Sequence, residues 1–377
     1  TLYHSLKRNL GYFGEIRLDY KGIAHISGTA RNDYSSTLSE KSYFYPSVTA
    51  GVIFSELFHI SNEFFTYGKL RGNWAQVGKD TNPYAFDKRF VIKGSFPDQG
   101  FGVDPTKSRA QWLDPELASS WEVGLDLRFF NDKTKFDLAY YQTKVDNQIV
   151  TVRVSPTQGN ILQTRNEGVE LQWNQEIMRN RDFQWYANLN FGFNRGKVTN
   201  LPDDIVEIQG TQYGDIFPTA YLNGSTTAIS GKDYMRSPDG QVVCTADGYP
   251  IISPVKGNLI GDREPDFLLG LSSNISWKNF TLSFLLDSRK GGDVVNVTSR
   301  SLLSSGQSSF AEKYRNREVV VNGVVQQSDG TYIKNTKPII LDQTTMNTYF
   351  YAVSSNFIED GSYLRLSYVT LGYDFTP

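Results

Sequence analysis

The chain has 377 residues, and its 38 Lys+Arg against 40 Asp+Glu leave a formal charge of −2, which gives no electrostatic pull toward nucleic acid. One cysteine, Cys244, excludes an intrachain disulfide and a thiolate metal cluster, and three isolated histidines (His4, His25, His59) lack the paired spacing of a zinc site. No apolar run approaches the ~20 residues that a membrane-crossing helix requires, whereas 24 Phe, 22 Tyr, 6 Trp and 32 Gly suit β-structure.

In chain order, period-two alternation marks eleven strands. Leu10–Tyr20 comes first, followed across Lys21-Gly22 by the weaker Ile23–Asp33, then Val48–Phe54 and Thr66–Val77. From Trp121 to Phe129, the residues Trp121, Val123, Leu125, Leu127 and Phe129 point one way and Glu122, Gly124, Asp126 and Arg128 the other. Phe136–Lys144 and Val169–Asn174 follow. Over Phe183–Asn194, Phe183, Trp185, Ala187, Leu189, Phe191 and Phe193 share one face, with Gln184, Asn188 and Asn190 on the opposite one. Phe267–Trp277 and Phe280–Asp287, joined by Lys278-Asn279, precede the last strand, Leu364–Phe375.

Half-apolar strands suit a soluble sandwich as well as a barrel. The connections separate the two. Short and long ones alternate, with Lys21-Gly22 and Lys278-Asn279 as tight turns and 34–47, 78–120, 145–168, 195–266 and 288–363 as long excursions. Tight turns then gather at one rim and long loops at the other, the pattern of an outer-membrane barrel with short periplasmic turns and long extracellular loops. Tyr20, Phe129, Trp173, Trp185, Trp277 and Phe280 fall near the short-turn ends, and Trp74 and Trp121 near the long-loop ends, as two aromatic girdles require. The expected fold is therefore all-β: an antiparallel, up-and-down transmembrane β-barrel in a bacterial outer membrane, with 1–377 forming a single barrel segment. An odd strand count and two sheet edges in hydrocarbon predict a wall belonging to a larger barrel; the alternative is a strand missed or overcounted, for instance inside 78–120. In the last strand, Leu364, Leu366 and Tyr368 share one phase and Val369, Leu371, Tyr373 and Phe375 the other. Either a β-bulge lies near Tyr368-Val369 or the first half stands above the bilayer.

Several segments resemble those of SusC/RagA-type TonB-dependent transporters. Phe357-Ile358-Glu359-Asp360-Gly361-Ser362-Tyr363-Leu364-Arg365-Leu366 with Val369-Thr370-Leu371-Gly372-Tyr373 is similar to the family's "EDGSYLRL…TLGY" stretch. Asp114-Pro115-Glu116-Leu117 with Trp121-Glu122-Val123-Gly124-Leu125-Asp126 resembles its "NPdLkWE…niGlD" stretch, with two extra residues between Leu117 and Trp121. Tyr45-Pro46-Ser47-Val48, Asn166-Glu167-Gly168-Val169-Glu170 and Gly261-Asp262-Arg263-Glu264-Pro265-Asp266-Phe267 resemble further landmarks, in the family's order. The resemblance implies a barrel of about 22 strands closed by a plug, a TonB box energised through TonB–ExbB–ExbD, a SusD-like surface lipoprotein over the mouth, and oligosaccharides or oligopeptides as substrates. No segment here resembles the plug or the TonB box.

On this phase assignment, Glu15, Arg17, Asp19, Glu122, Asp126, Arg128, Glu170, Gln172, Asn174, Gln184, Asn188 and Asn190 face the lumen, where most line wall and hydrogen-bond to a plug or to water. Substrate contact is expected from loop aromatics able to stack on sugar rings or peptide side chains: Tyr84, Phe86, Trp112, Tyr213, Phe217, Tyr221, Tyr234 and Tyr249. The competing expectation is that these rings pack loop on loop. Asp203-Asp204 with Glu207 lacks EF-hand spacing and reads as a solvated acidic loop. His25 falls among lumen-phase residues as a wall histidine. No nucleophile elbow, P-loop or dinucleotide fingerprint occurs, so neither catalysis nor a cofactor or metal is expected. Energised import is the leading function, and a passive porin or adhesin on the same barrel is the alternative.

Overall fold

The computed structural model describes residues 6–38, 42–83, 114–151, 158–201, 205–207, 213–255 and 257–375. Eleven strands form one sheet in which each pairs with its neighbours in sequence, all antiparallel. They are β1 (Asn9–Tyr20), β2 (Ala24–Ser35), β3 (Ser42–Val52), β4 (Phe65–Lys79), β5 (Glu116–Phe129) and β6 (Thr134–Thr151), then β7 (Gln158–Arg179), β8 (Phe183–Asn200), β9 (Pro265–Trp277), β10 (Phe280–Gly291) and β11 (Tyr363–Tyr373). The sheet is a barrel wall left open between β1 and β11, which do not pair with each other.

Register carries the alternation around the wall. Leu127, Phe136, Trp173, Leu189, Leu271, Leu286 and Leu366 stand side by side across β5 to β11 in one apolar row. At the short-turn rim Phe136 stacks on Trp173 (6.2 Å), and Trp277, Phe280 and Tyr373 form a chain of ring contacts. Trp74 and Trp121 pair directly across β4 and β5 toward the other rim. The first hairpin closes with the Ile23 N–H on the Tyr20 carbonyl (2.9 Å). Lys21 and Gly22 both take positive φ (53° and 71°), the turn whose twist suits a two-stranded ribbon.

The phase break in the last strand is a β-bulge. Leu285 pairs with Tyr368 and Leu286 with Leu366, so Ser367 is the extra residue. One inserted residue turns Leu364 and Leu366 to the same side as Val369, Leu371 and Tyr373. Several strands run beyond their expected ends. Most of 145–168 is ladder rather than loop, because β6 continues to Thr151 and β7 starts at Gln158, with irregular pairing around Gln148. Once a strand leaves hydrocarbon both its faces are wet, so alternation lapses while backbone pairing continues.

The connections β8–β9 and β10–β11 fold together at the long-connection rim. The β8–β9 connection supplies Phe217–Tyr221, Ala228–Gly231 and Asn258–Asp262 to a small sheet. Its Val243–Cys244 pairs in parallel with Val324–Gln326 of the β10–β11 connection, which Tyr332–Lys334 extends. A core of Leu303, Ala311, Ile339, Leu341, Met346 and Phe357 lies in the β10–β11 connection, with Tyr249 of the β8–β9 connection packed against it.

Candidate functional site

The face opposite the apolar rows is polar, and register assembles it from every strand. Gln172 of β7 stands between Asp137 and Asn190, and Asn190 is opposite Gly270. Arg71 of β4 spans this face: its Nη2 donates to Asp137 Oδ1 (2.7 Å), two strands away, and its Nε lies 3.7 Å from Glu122. The guanidinium crosses β5 over Gly124, where any Cβ would occupy its place. A recess of about 660 Å³ opens here, lined by Arg71, Glu122, Asp137, Glu170, Gln172 and Asn190 together with Asp287 and Tyr363. Asp287 is itself engaged, accepting from Arg365 Nη2 and Ser367 Oγ (both 2.6 Å). The bulge therefore seats a hydroxyl inside the wall as well as restoring the apolar row.

The other lumen-phase residues sit on the same face in local pairs. Arg17 pairs with Glu15 (2.9 Å), and Asp19 accepts the Gly22 N–H of the first turn (2.8 Å). Arg128 lies 3.4 Å from Asp126 and covers the Tyr67 ring (4.4 Å). Asn188 donates to Asn174. His25 lies over Gly51. Among the described residues no cluster of three His, Cys, Asp or Glu is arranged to hold a metal. What the face offers is fixed hydrogen-bond donors and acceptors, a lining suited to contact with polar groups.

At the mouth the loop aromatics divide by burial. Phe217 is 4 % and Tyr234 8 % exposed. Tyr234 Oη donates to the Tyr349 carbonyl (2.6 Å) and accepts from Asn356 Nδ2 (2.8 Å), tying the two connections together, and burial pushes its phenol up to about 12. Tyr249 leans on Tyr349 (5.0 Å) against the core. Tyr213 is 42 % exposed and has Arg300 over its ring (5.9 Å). Tyr221 borders a second recess of about 710 Å³, at the seam between the wall and the connections, where Arg195 and Glu264 also stand. Tyr84, Phe86, Trp112 and the Asp203-Asp204 pair lie outside the described residues.

Arg300 and Asp215 had no mark in the sequence. Arg300 sits on a short helix, Val297–Ser304, started by Asn296, whose side chain accepts from Ser299 N–H. Its side chain is 8 % exposed, donates to Asp215 Oδ1 (2.7 Å), and lies among Tyr213, Tyr351 and Phe357. Burial alone would raise the Asp215 carboxyl, but hydrogen bonds from Arg300 and from Ser354 Oγ (2.8 Å) hold it below its ordinary value. The pair joins the β8–β9 connection to the β10–β11 connection. Nothing local distinguishes one Arg in a Ser-rich stretch, so only the tertiary pairing reveals it.

Known proteins share this architecture. The family model described as TonB dependent receptor-like, beta-barrel matches residues 3–376. TonB-dependent receptor P3 of Formosa agariphila is 26% identical over 401 residues, covering 96% of this chain and 38% of that protein. TonB-dependent receptor SusC of Bacteroides thetaiotaomicron is 24% identical over 416 residues, covering 100% of this chain and 38% of that protein. The RagAB peptide importer in its open-open state superposes with a TM-score of 0.72 at 16% identity, covering 97% of this chain and 40% of that one. The chain thus spans about two fifths of these relatives' length, and the structural likeness speaks for the fold.

Proposed function

Because the chain belongs to the TonB dependent receptor-like β-barrel family, whose place is the outer membrane, we propose that it forms wall and mouth of an energised importer for oligosaccharides or oligopeptides. The observation that carries this is the union of a polar inner face, with its recess of about 660 Å³, and two long connections folded as one body over one rim. A passive pore needs no such mouth. The recess presents separated donors and acceptors rather than an apolar slot, which suits a polymer fragment rich in hydroxyls or amides. The structurally similar RagAB is a peptide transporter, which supports the oligopeptide class. In this scheme a SusD-like surface lipoprotein closes the mouth, and TonB–ExbB–ExbD supplies the energy through a segment other than this wall. Exposed Tyr213 is the loop ring most available for stacking on substrate, with half-buried Tyr221 at the edge of the second recess, while Phe217, Tyr234 and Tyr249 hold the mouth together.

Uptake in cells tests the proposal. Removing 213–255 is expected to abolish uptake of the cognate oligomer while the wall still assembles, visible as heat-modifiable electrophoretic mobility, because long loops do not supply the barrel. Undiminished uptake in cells lacking TonB overturns energised import.

A further inference from the structure

Three consecutive residues of the β8–β9 connection, Lys232, Asp233 and Tyr234, are tied to one short stretch of the β10–β11 connection. The Lys232 carbonyl accepts the Ser355 N–H (3.1 Å), and Asp233 accepts from Ser355 Oγ (2.7 Å). Tyr234 Oη accepts from Asn356 Nδ2 (2.8 Å) and donates to the Tyr349 carbonyl (2.6 Å). The backbone of that stretch is irregular. A short helix, Gln343–Met346, is started by Asp342, whose side chain accepts the Thr345 N–H (2.7 Å). It runs directly into a π-helical turn, Asn347–Tyr351, and a 3₁₀ turn, Ser354–Phe357, follows. In the π turn the Ala352 N–H bonds the Asn347 carbonyl (3.1 Å), one residue further back than an α-helix reaches. Such turns carry one surplus residue and occur mostly at functional positions.

The surplus residue decides what the Tyr349 carbonyl binds. In an α register it accepts the Val353 N–H. Here the Val353 N–H turns to the Phe350 carbonyl (3.3 Å) and leaves the Tyr349 carbonyl to the Tyr234 phenol. The Phe350 carbonyl also accepts from Asn356 Nδ2 (2.9 Å), which binds Asn356 to the widened turn as well as to Tyr234. One acceptor thus has two mutually exclusive donors, a phenol from the other half of the mouth and an amide of its own helix. Met346 and Phe357 lie in the buried core and pin both ends of the stretch. A return to the α register is therefore taken up between them, in 352–356, where Ser355 and Asn356 hold the remaining ties.

We propose that Asn347–Tyr351 is a two-position latch of the mouth. It is π-helical while Tyr234 holds the Tyr349 carbonyl, and α-helical when Val353 holds it and the Lys232–Tyr234 stretch is released. An occupant of the mouth that displaces the Tyr234 phenol frees the stretch without stranding a buried carbonyl, because the Val353 amide takes its place. A carbonyl left unbonded would cost more than the bond itself contributes, so the second position is what makes release reversible. The latch depends on the folded mouth and not on what the barrel carries.

The test is hydrogen–deuterium exchange, read by mass spectrometry on protein purified from outer membranes and placed in phosphatidylcholine nanodiscs. Peptides from 228–237 report the tied stretch and peptides from 343–353 the turn. Tyr234→Phe removes the phenol donor and should speed exchange in 228–237 about fivefold, the loss of one hydrogen bond. Exchange in 343–353 should stay at the wild-type rate, because the Val353 amide claims the vacated carbonyl. Deleting Thr348 removes the surplus residue, fixes the α register and should give the same pattern. The two changes combined should add nothing beyond either one, since both act on the same latch. Heat-modifiable mobility reports whether each variant has assembled, and if the deletion fails, Tyr234→Phe decides alone. Loosening of 343–353 as large as that of 228–237 would mean a bond lost with no second position, and overturns the proposal. Wild-type exchange in 228–237 of the folded deletion variant, or additive effects, overturns it too.

Discussion

Leu189→Arg and Asn190→Arg, adjacent on β8, test the two-faced wall most directly. Leu189 stands between Trp173 and Leu271 in the apolar row, whereas Asn190 stands between Gln172 and Gly270 on the polar face. Outward positions on β8 run from Phe183, beside Trp277 at the short-turn rim, to Phe193, just below Arg195. That interval, at ~3.3 Å per residue and a tilt of ~40°, comes to ~25 Å, the height of the apolar band of such barrels. Leu189 lies near its middle. An arginine there is expected to cost ~2–4 kcal/mol, the midplane value for a cation on the lipid face. An arginine at 190 enters the recess beside Glu170, exposed to water and carboxylate, and should cost less than ~1 kcal/mol. Guanidinium titration of the protein in phosphatidylcholine vesicles, followed by tryptophan fluorescence, reads both as midpoint shifts at unchanged slope. Equal losses at 189 and 190 would refute the assignment of faces, and with it the barrel.

Two further outcomes follow from side-chain geometry. Gly124→Val drives a side chain into the Arg71 guanidinium and should cost ~1–3 kcal/mol in the same titration; Gly192→Val, on the same face with nothing within 4 Å of its Cβ position, should be nearly neutral. Asp215, with its carboxyl held below the ordinary value of 3.8, contributes stability that is complete above that value and is lost as pH falls through the lower folded value. Limited proteolysis of the mouth should accordingly accelerate only in acid below the usual carboxylate range. Asp215→Asn strips the buried Arg300 of its counter-charge, a loss of ~3–5 kcal/mol, so the mouth should already be open to protease at neutral pH, with a flattened pH response.

The wall was legible because each strand carries its own record of its surroundings. Trp121 to Phe129 and Phe183 to Asn194 alternate so regularly that their faces need no tertiary information, and the short-long rhythm of connections separates barrel from sandwich. The phase break near Tyr368 was visible too, although only pairing shows that Ser367 is the inserted residue. The ends of β6 and β7 were not legible, because above the bilayer neither face has to be apolar. The folded mouth was hidden for a different reason. Its strands, such as Val243–Cys244 and Val324–Gln326, are too short to show a period and pair with segments far away in the chain. The burial of Phe217 and Tyr234 and the Arg300–Asp215 contact depend on that packing. Loop aromatics that look alike as sequence thus divide into cement and exposed rings only once the mouth is assembled.

The parallel pairing of Val243–Cys244 with Val324–Gln326 joins segments separated by the whole β9–β10 hairpin. The β10–β11 connection carries most of its own interior, but Tyr249, Asp215 and Tyr234 reach it from the other half, so the two lock together across that hairpin. The same tie governs how specificity can be re-engineered or inherited. A graft of one connection from a relative arrives without the residues that fill its partner's interior, whereas exchanging both together keeps the Arg300–Asp215 contact and the Tyr234–Tyr349 bond intact. New cargo preferences on this scaffold should therefore travel as a matched pair of inserts.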